Sequence, residues 1–228
     1  MCFKSGLDPA CARSVAMITL HDYVLSANCY KVRLLLAQLD LDFDSVDVDF
    51  HPGREHKGAA FRRLNPMGHI PVLVDEDFVI RDAHAILIYL ARRYDQGVTW
   101  FPIDDAYRLG ATAQWMNFAD ATSSTLSAAR LAVNLGYELD LKAARAGGHE
   151  ILRVLDEHLW FGEREGRAWL VDGDKPTLGD LTVFPDVVLA EEGGVDLLDY
   201  PAVRRWLDRV KQWPRFVVMP GVFPFGTS

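Results

Sequence analysis

Strand-like patterning in this chain stops before Asp95-Gln96-Gly97, and the regular segments after that break carry a helical period. A single sheet cannot be spread over such a pattern. The first stretch can fold as a small α/β unit, with the remainder packed as helices. Before the break, Met17 to Leu20 is a short apolar run and a candidate first strand. Ser26 then stands where it can cap a helix whose Val32, Leu35, Leu36 and Leu39 share one face. Val46, Val48 and Phe50 alternate with Asp47 and Asp49, the period of a strand. Strand, helix and strand in that order predict parallel strands joined by a right-handed crossover.

Ala59 to Leu64 predicts a short helix that ends before Asn65-Pro66, because a residue preceding proline is pushed out of the helical region. Pro71 opens the run Val72-Leu73-Val74. The acidic triplet Asp75-Glu76-Asp77 turns the chain, and Phe78-Val79-Ile80 returns at hairpin spacing. Asp82 can cap a last helix running to about Arg93, with Ile86, Tyr89 and Leu90 on its apolar face. The predicted order is βαβ-α-ββα around a mixed sheet, over residues 17–94.

Beyond the break, Leu109, Ala113 and Met116 keep helical spacing, as do Leu152, Leu155 and Leu159. Val203, Trp206, Leu207 and Val210 repeat the i, i+3, i+4, i+7 face. Thr177-Leu178-Gly179-Asp180 is a capping box ahead of another apolar run. Residues 105–228 are therefore expected to form an all-helical bundle. Residues 1–16 lack the apolar stretch of a signal peptide and are expected to be either a disordered leader or a misplaced start, outside the fold.

The 228 residues suffice to bury a sizeable core. A formal charge of −8 gives no electrostatic footprint for nucleic acid and disfavours docking on anionic membranes. No apolar run approaches the ~18 residues needed to span a bilayer. Cys2, Cys11 and Cys29 form neither a metal-ligand spacing nor a disulfide framework, which predicts a reducing compartment, the cytoplasm, and no metal.

Four pieces of the first half carry chemistry. Ser26-Ala27-Asn28-Cys29 lies between a strand and its helix. Ser26 is there either a plain N-cap or a hydroxyl that donates to an anion at the positive end of the helix. Ile70-Pro71 precedes a strand. Pro71 is either an ordinary trans proline, or a cis one that leaves the Ile70 backbone N–H and C=O to pair with a peptide. Asp82-Ala83 opens a helix. Besides capping, its carboxylate can meet an ammonium while the Ala83 N–H meets a carboxylate, the two groups of one α-amino-acid terminus. Glu55-His56-Lys57 is either solvated surface or a source of cations for a second carboxylate.

Taken in order, Ser26-x-Asn28, then Asn65-Pro66-x-Gly68-x-Ile70-Pro71-Val72-Leu73, then Asp82-Ala83-x-Ala85-Ile86-x-x-Tyr89-Leu90 resemble the soluble glutathione transferases. The agreement runs from about Met17 to Arg93 and is closest to the serine-type branch, the theta and phi classes. The resemblance implies a thioredoxin-like domain followed by a helical one, glutathione as co-substrate, and a homodimer. It implies that Ser26 holds the glutathione thiolate with Asn28 assisting. Ile70, before a cis Pro71, would pair with the cysteinyl part, Asp82 and the Ala83 N–H would hold the γ-glutamyl end, and His56, Lys57 and His69 would lie near the glycyl end.

Tyr23, Tyr107, Trp115, Phe118 and Arg130 are candidates for the pocket of a small hydrophobic electrophile, with helix packing an equal reading for Trp115 and Phe118. One departure is Ala83, where the family usually has serine, so a side-chain hydrogen bond is lost. Ser26-x-x-Cys29 occupies the place of a redox Cys-x-x-Cys, but its first position is serine. Two alternatives accompany the transferase. One is a maleylacetoacetate-type isomerase, whose family has Ser-Ser-Cys where this chain has Ser26-Ala27-Asn28. The other is a non-catalytic binding module.

Overall fold

The computed structural model describes residues 18–222 apart from Gln96 and Val98. The expected leader over 1–16, together with Met17, Cys2 and Cys11, lies outside the described residues. Strand β1 (Ile18–Asp22) buries Ile18 and Leu20, and helix α1 (Ala27–Gln38) leads from it to β2 (Phe43–Asp47), which runs parallel to β1. On the other side β3 (Val72–Asp75) is antiparallel to β1, with Leu73 opposite Leu20, and β4 (Phe78–Arg81) completes the hairpin. The order β2-β1-β3-β4 is the expected mixed sheet of a thioredoxin-like unit. No glycine serves the hairpin; Glu76 takes the left-handed position at φ 56°.

Two local readings change. The second strand ends at Asp47, before the expected Val48 and Phe50, and Val46 is left exposed. The reason is position: β2 has one neighbour, so sheet pairing imposes less burial on its residues than on those of β1. Val48 instead packs beyond the strand with Phe61 and Val72. The second change is α1. One apolar face is legible in its sequence, yet Cys29, Tyr30, Lys31, Val32, Leu34, Leu35 and Leu36 are all fully buried. Helix α3 (Ala83–Tyr94) packs on α1 from within the same half, and α7 (Leu178–Val188) packs on it from the other.

The short helix α2 (Ala59–Leu64) falls where expected. In the second half α4 (Ala106–Thr122) continues through a widened π-type turn, Ser123–Ser127, into α5 (Ala128–Leu135). Then follow α6 (Leu141–Arg164), α7 and α8 (Pro201–Val210). Among the described residues after Asp105 the one departure from helix, turn and loop is a bridge between Met219 and Val222. The Thr177 capping box is present: Gly179 N–H donates to Thr177 Oγ1 at 3.2 Å and Thr177 N–H to Asp180 at 3.0 Å. The apolar core runs continuously from β1 through α1 and α7 to Trp206 on α8.

Candidate functional site

Ser26 has extended dihedrals (φ −79°, ψ 119°) and its Oγ accepts from Cys29 N–H at 3.2 Å, which makes it the cap of α1. That bond uses a lone pair only. Among the described residues no oxygen or nitrogen takes up the hydroxyl proton, which can turn to an anion in front of the helix. In front of it lies a cavity of about 680 Å³, within the range of small-molecule sites.

The next wall comes from the loop before β3. The Ile70–Pro71 peptide is cis, and among the described residues no hydrogen bond takes up the Ile70 N–H or C=O. Asn65, itself buried, holds this loop: its Nδ2 donates to His69 O at 2.7 Å and its Oδ1 accepts from Met67 N–H at 3.1 Å. Gly68 turns at φ +59°, and a Cβ there would stand 2.6 Å from His56 O, so glycine is required twice over.

A third wall is the start of α3. Asp82 caps it through Ala85 N–H at 3.1 Å while held at φ 74°, ψ 128°, a sparsely populated region for a non-glycine residue. Such residues cost of order 1–3 kcal/mol and gather at ligand clamps. Only one carboxylate oxygen is engaged, and Asp82, the buried Ala83 and the exposed Arg81 all border the cavity.

The helical half closes the fourth side. Arg130 on α5 pairs with Glu192 and donates from Nη1 to Leu25 O at 2.7 Å, tying α5 to the residue before Ser26. Leu131 and Leu135 add apolar surface, and the Tyr23 and Phe50 rings lie 5.3 Å apart across from them. Burial raises the Tyr23 pKa, although nearby Arg130 pulls it down, so its phenol is neutral and can donate.

Ser26, Asn28, His69, Ile70, Asp82, Ala83, Tyr23 and Arg130 thus come together around one cavity. Others do not, and the sequence reading is corrected there. Tyr107 on α4 is 92% exposed and does not line the cavity. Trp115 is buried against Phe118 and His158, so of the two readings open for these aromatics the structure takes helix packing. His56 and Lys57 stand outside the cavity lining too. Lys57 Nζ donates to Gly68 O at 2.7 Å and braces the loop. His56 is buried and stacked on Phe50, and burial, with Lys57 and Arg54 nearby, lowers its pKa; it is neutral, not the expected cation. Pro71 is buried behind Ile70. Arg81 and the wall of Leu131, Asn134 and Leu135 were missed; Arg81 at least adjoins a capping residue, a local signal that was available.

Residues 16–92 match the family model described as the glutathione S-transferase N-terminal domain. A maleylacetoacetate isomerase of Pseudomonas aeruginosa is 30% identical over 213 residues, covering 86% of this chain and 92% of that one. The glutathione S-transferase GstB of Escherichia coli is 30% identical over 220 residues, covering 89% and 98%. The chain belongs to the glutathione transferase family. A crystal structure of a glutathione S-transferase from Xanthobacter autotrophicus shares its fold with a TM-score of 0.78, at 28% identity over 90% of this chain and 97% of that one. In this glutathione transferase, no group of three or more metal-ligating side chains occurs among the described residues.

Proposed function

We propose that this protein is an enzyme that binds glutathione in the described cavity and joins it through its sulfur to a small hydrophobic electrophile, with Ser26 stabilising the thiolate. The observation that carries this reading is the free Ser26 hydroxyl proton at the start of α1, facing the same cavity as the unpaired Ile70 backbone and the Asp82 cap. The Ile70 N–H and C=O offer a two-point, strand-like grip on the peptide. Asp82 and the Ala83 N–H would hold its α-amino-acid end, with Arg81 adding a cation beside them. His69 would lie towards the glycyl end.

An ordinary thiol, with pKa ~8.5, is only a few per cent ionised at neutral pH. A hydroxyl donor and the positive end of α1 favour the anion, which lowers that pKa. The thiolate then attacks the electrophile, the new C–S bond forms as the leaving group departs or the double bond shifts, and the thiol proton goes to water. Leu25, Leu131 and Leu135 line the apolar side where an electrophile would sit.

Ser26→Ala should raise the pH at which bound glutathione ionises while leaving peptide affinity largely intact. A charged hydrogen bond worth ~2 kcal/mol corresponds to a loss of roughly thirtyfold in rate. A midpoint in Ser26→Ala unchanged from that of the wild-type complex would remove Ser26 from the chemistry. A second reading, a glutathione-dependent isomerase of the maleylacetoacetate type, has support from the relative of that name; a panel of conjugation and isomerisation substrates separates the two. Family membership further suggests a cytoplasmic homodimer, for which light scattering should give twice 25.6 kDa.

A further inference from the structure

We infer that Lys31, clamped by Asp186 from the helical half, is a positioning residue that fixes the Asn28 amide so that its N–H groups, rather than its oxygen, face the thiolate. This rests on the Ser26 reading above. Lys31 is on α1 and Asp186 on α7; both side chains are 1% exposed, and Nζ lies 3.2 Å from Asp186 Oδ2. Asp186 also accepts from three hydroxyls. Thr122 and Ser123 donate to Oδ2, each at 2.9 Å, and Ser127 donates to Oδ1. The π-type turn carries two of these donors, so the widened backbone supplies hydroxyls that lock the carboxylate in place.

A buried ion pair is a poor device for stability alone, since removing two charges from water offsets most of their attraction. Its second contact gives it a different use. Lys31 Nζ also donates to Asn28 Oδ1 at 2.9 Å. An ammonium has only donors, so it can meet only the oxygen end of the amide. The Nδ2 end is thereby turned the other way, has no partner among the described residues, and belongs to an exposed side chain that borders the cavity beside Ser26. Without Lys31 an asparagine is free to flip and offer its oxygen to the anion, which would repel it. The charges of Lys31 and Asp186 offset one another, so what reaches the cavity is orientation more than field.

The test is a double-mutant cycle on the full-length protein, reading the ionisation midpoint of bound glutathione from its thiolate absorbance. Lys31→Met and Asn28→Ala should each raise the midpoint, by about one pH unit for a lost bond to a charged group. If Lys31 acts through Asn28, the double variant shifts no further than either single one. In Lys31→Met, kcat should fall more than KM for glutathione rises. An unchanged midpoint in Lys31→Met, or additive shifts, overturns the inference and leaves Lys31 as a tie between the halves. Lys31→Leu combined with Asp186→Asn, which removes the donor and the buried countercharge together, replaces the single variant if that does not fold; there too the midpoint must rise, and an unchanged one overturns the inference. A wild-type complex that ionises like free glutathione would instead overturn the Ser26 reading itself.

Discussion

Ser26 caps α1 and Cys29 lies in its first turn, and their surroundings give them opposite chemistry. Ser26 keeps a free proton towards the cavity, whereas Cys29 is 0% exposed. Burial first, and then the nearby Asp22 carboxylate, push the Cys29 thiol up to about 12. At neutral pH it is protonated, and a thiol is neither the nucleophile nor the ligand that a thiolate is. Cys29→Ala should therefore leave glutathione transfer within about twofold of wild type, at a cost of about 1 kcal/mol in stability from the small cavity. Wild-type protein should also react with iodoacetamide at Cys29 only as fast as it unfolds. A folded but inactive Cys29→Ala would restore the redox reading. At this scale the sequence was most legible where a residue's role is local. The caps Ser26 and Asp82 follow from side-chain oxygens meeting the N–H groups of their own helices. Trp115 and Phe118 stay open in the sequence because helical spacing tells that a face is buried, not whether it meets other helices or a cavity.

Among the elements, α7 shows how a short motif can hold more than its own helix. Asp180 accepts from Thr177 N–H, as the box requires, and also from Leu170 N–H at 2.9 Å and Trp206 Nε1 at 3.0 Å. Thr177→Ala loses one cap bond and should cost ~1 kcal/mol, up to ~2. Asp180→Ala leaves three buried donors unpaired and should cost about 3 kcal/mol or more. Denaturant melts rank the two; equal losses would mean that the Leu170 and Trp206 bonds carry no weight. Glutathione affinity of the folded fraction should stay unchanged in both. The capping box was readable because it spans four residues, and its ties to Leu170 and Trp206 were not, because they join residues far apart in sequence. Strand β2 was misjudged for the opposite reason: its alternation is real in sequence, but an edge strand does not need to use it.

For the whole molecule, four histidines share a direction. His21, His56, His84 and His158 all have pKa values lowered chiefly by burial. Lys31 adds to the effect at His84, while at His158 the Leu170 carbonyl opposes it. A base with a depressed folded pKa takes up its proton more readily when unfolded, so the unfolded chain binds more protons below about pH 6.5. Stability should be fully present above that pH and fall as pH drops through the folded-state values. Calorimetry between pH 7.5 and 5 should show Tm falling by ~2–4 °C for each kcal/mol lost. A flat Tm over that range would contradict the burial of these rings. The burial of α1 reaches further still. Its outward side is covered by α7, so the sheet-bearing half borrows a wall that its own residues do not supply. The family model stops at residue 92, but the physical unit does not. Grafting this half onto a relative's helices means transplanting α1 and α7 as a matched pair; cut between them, the fragment would carry its stickiest surface into solution.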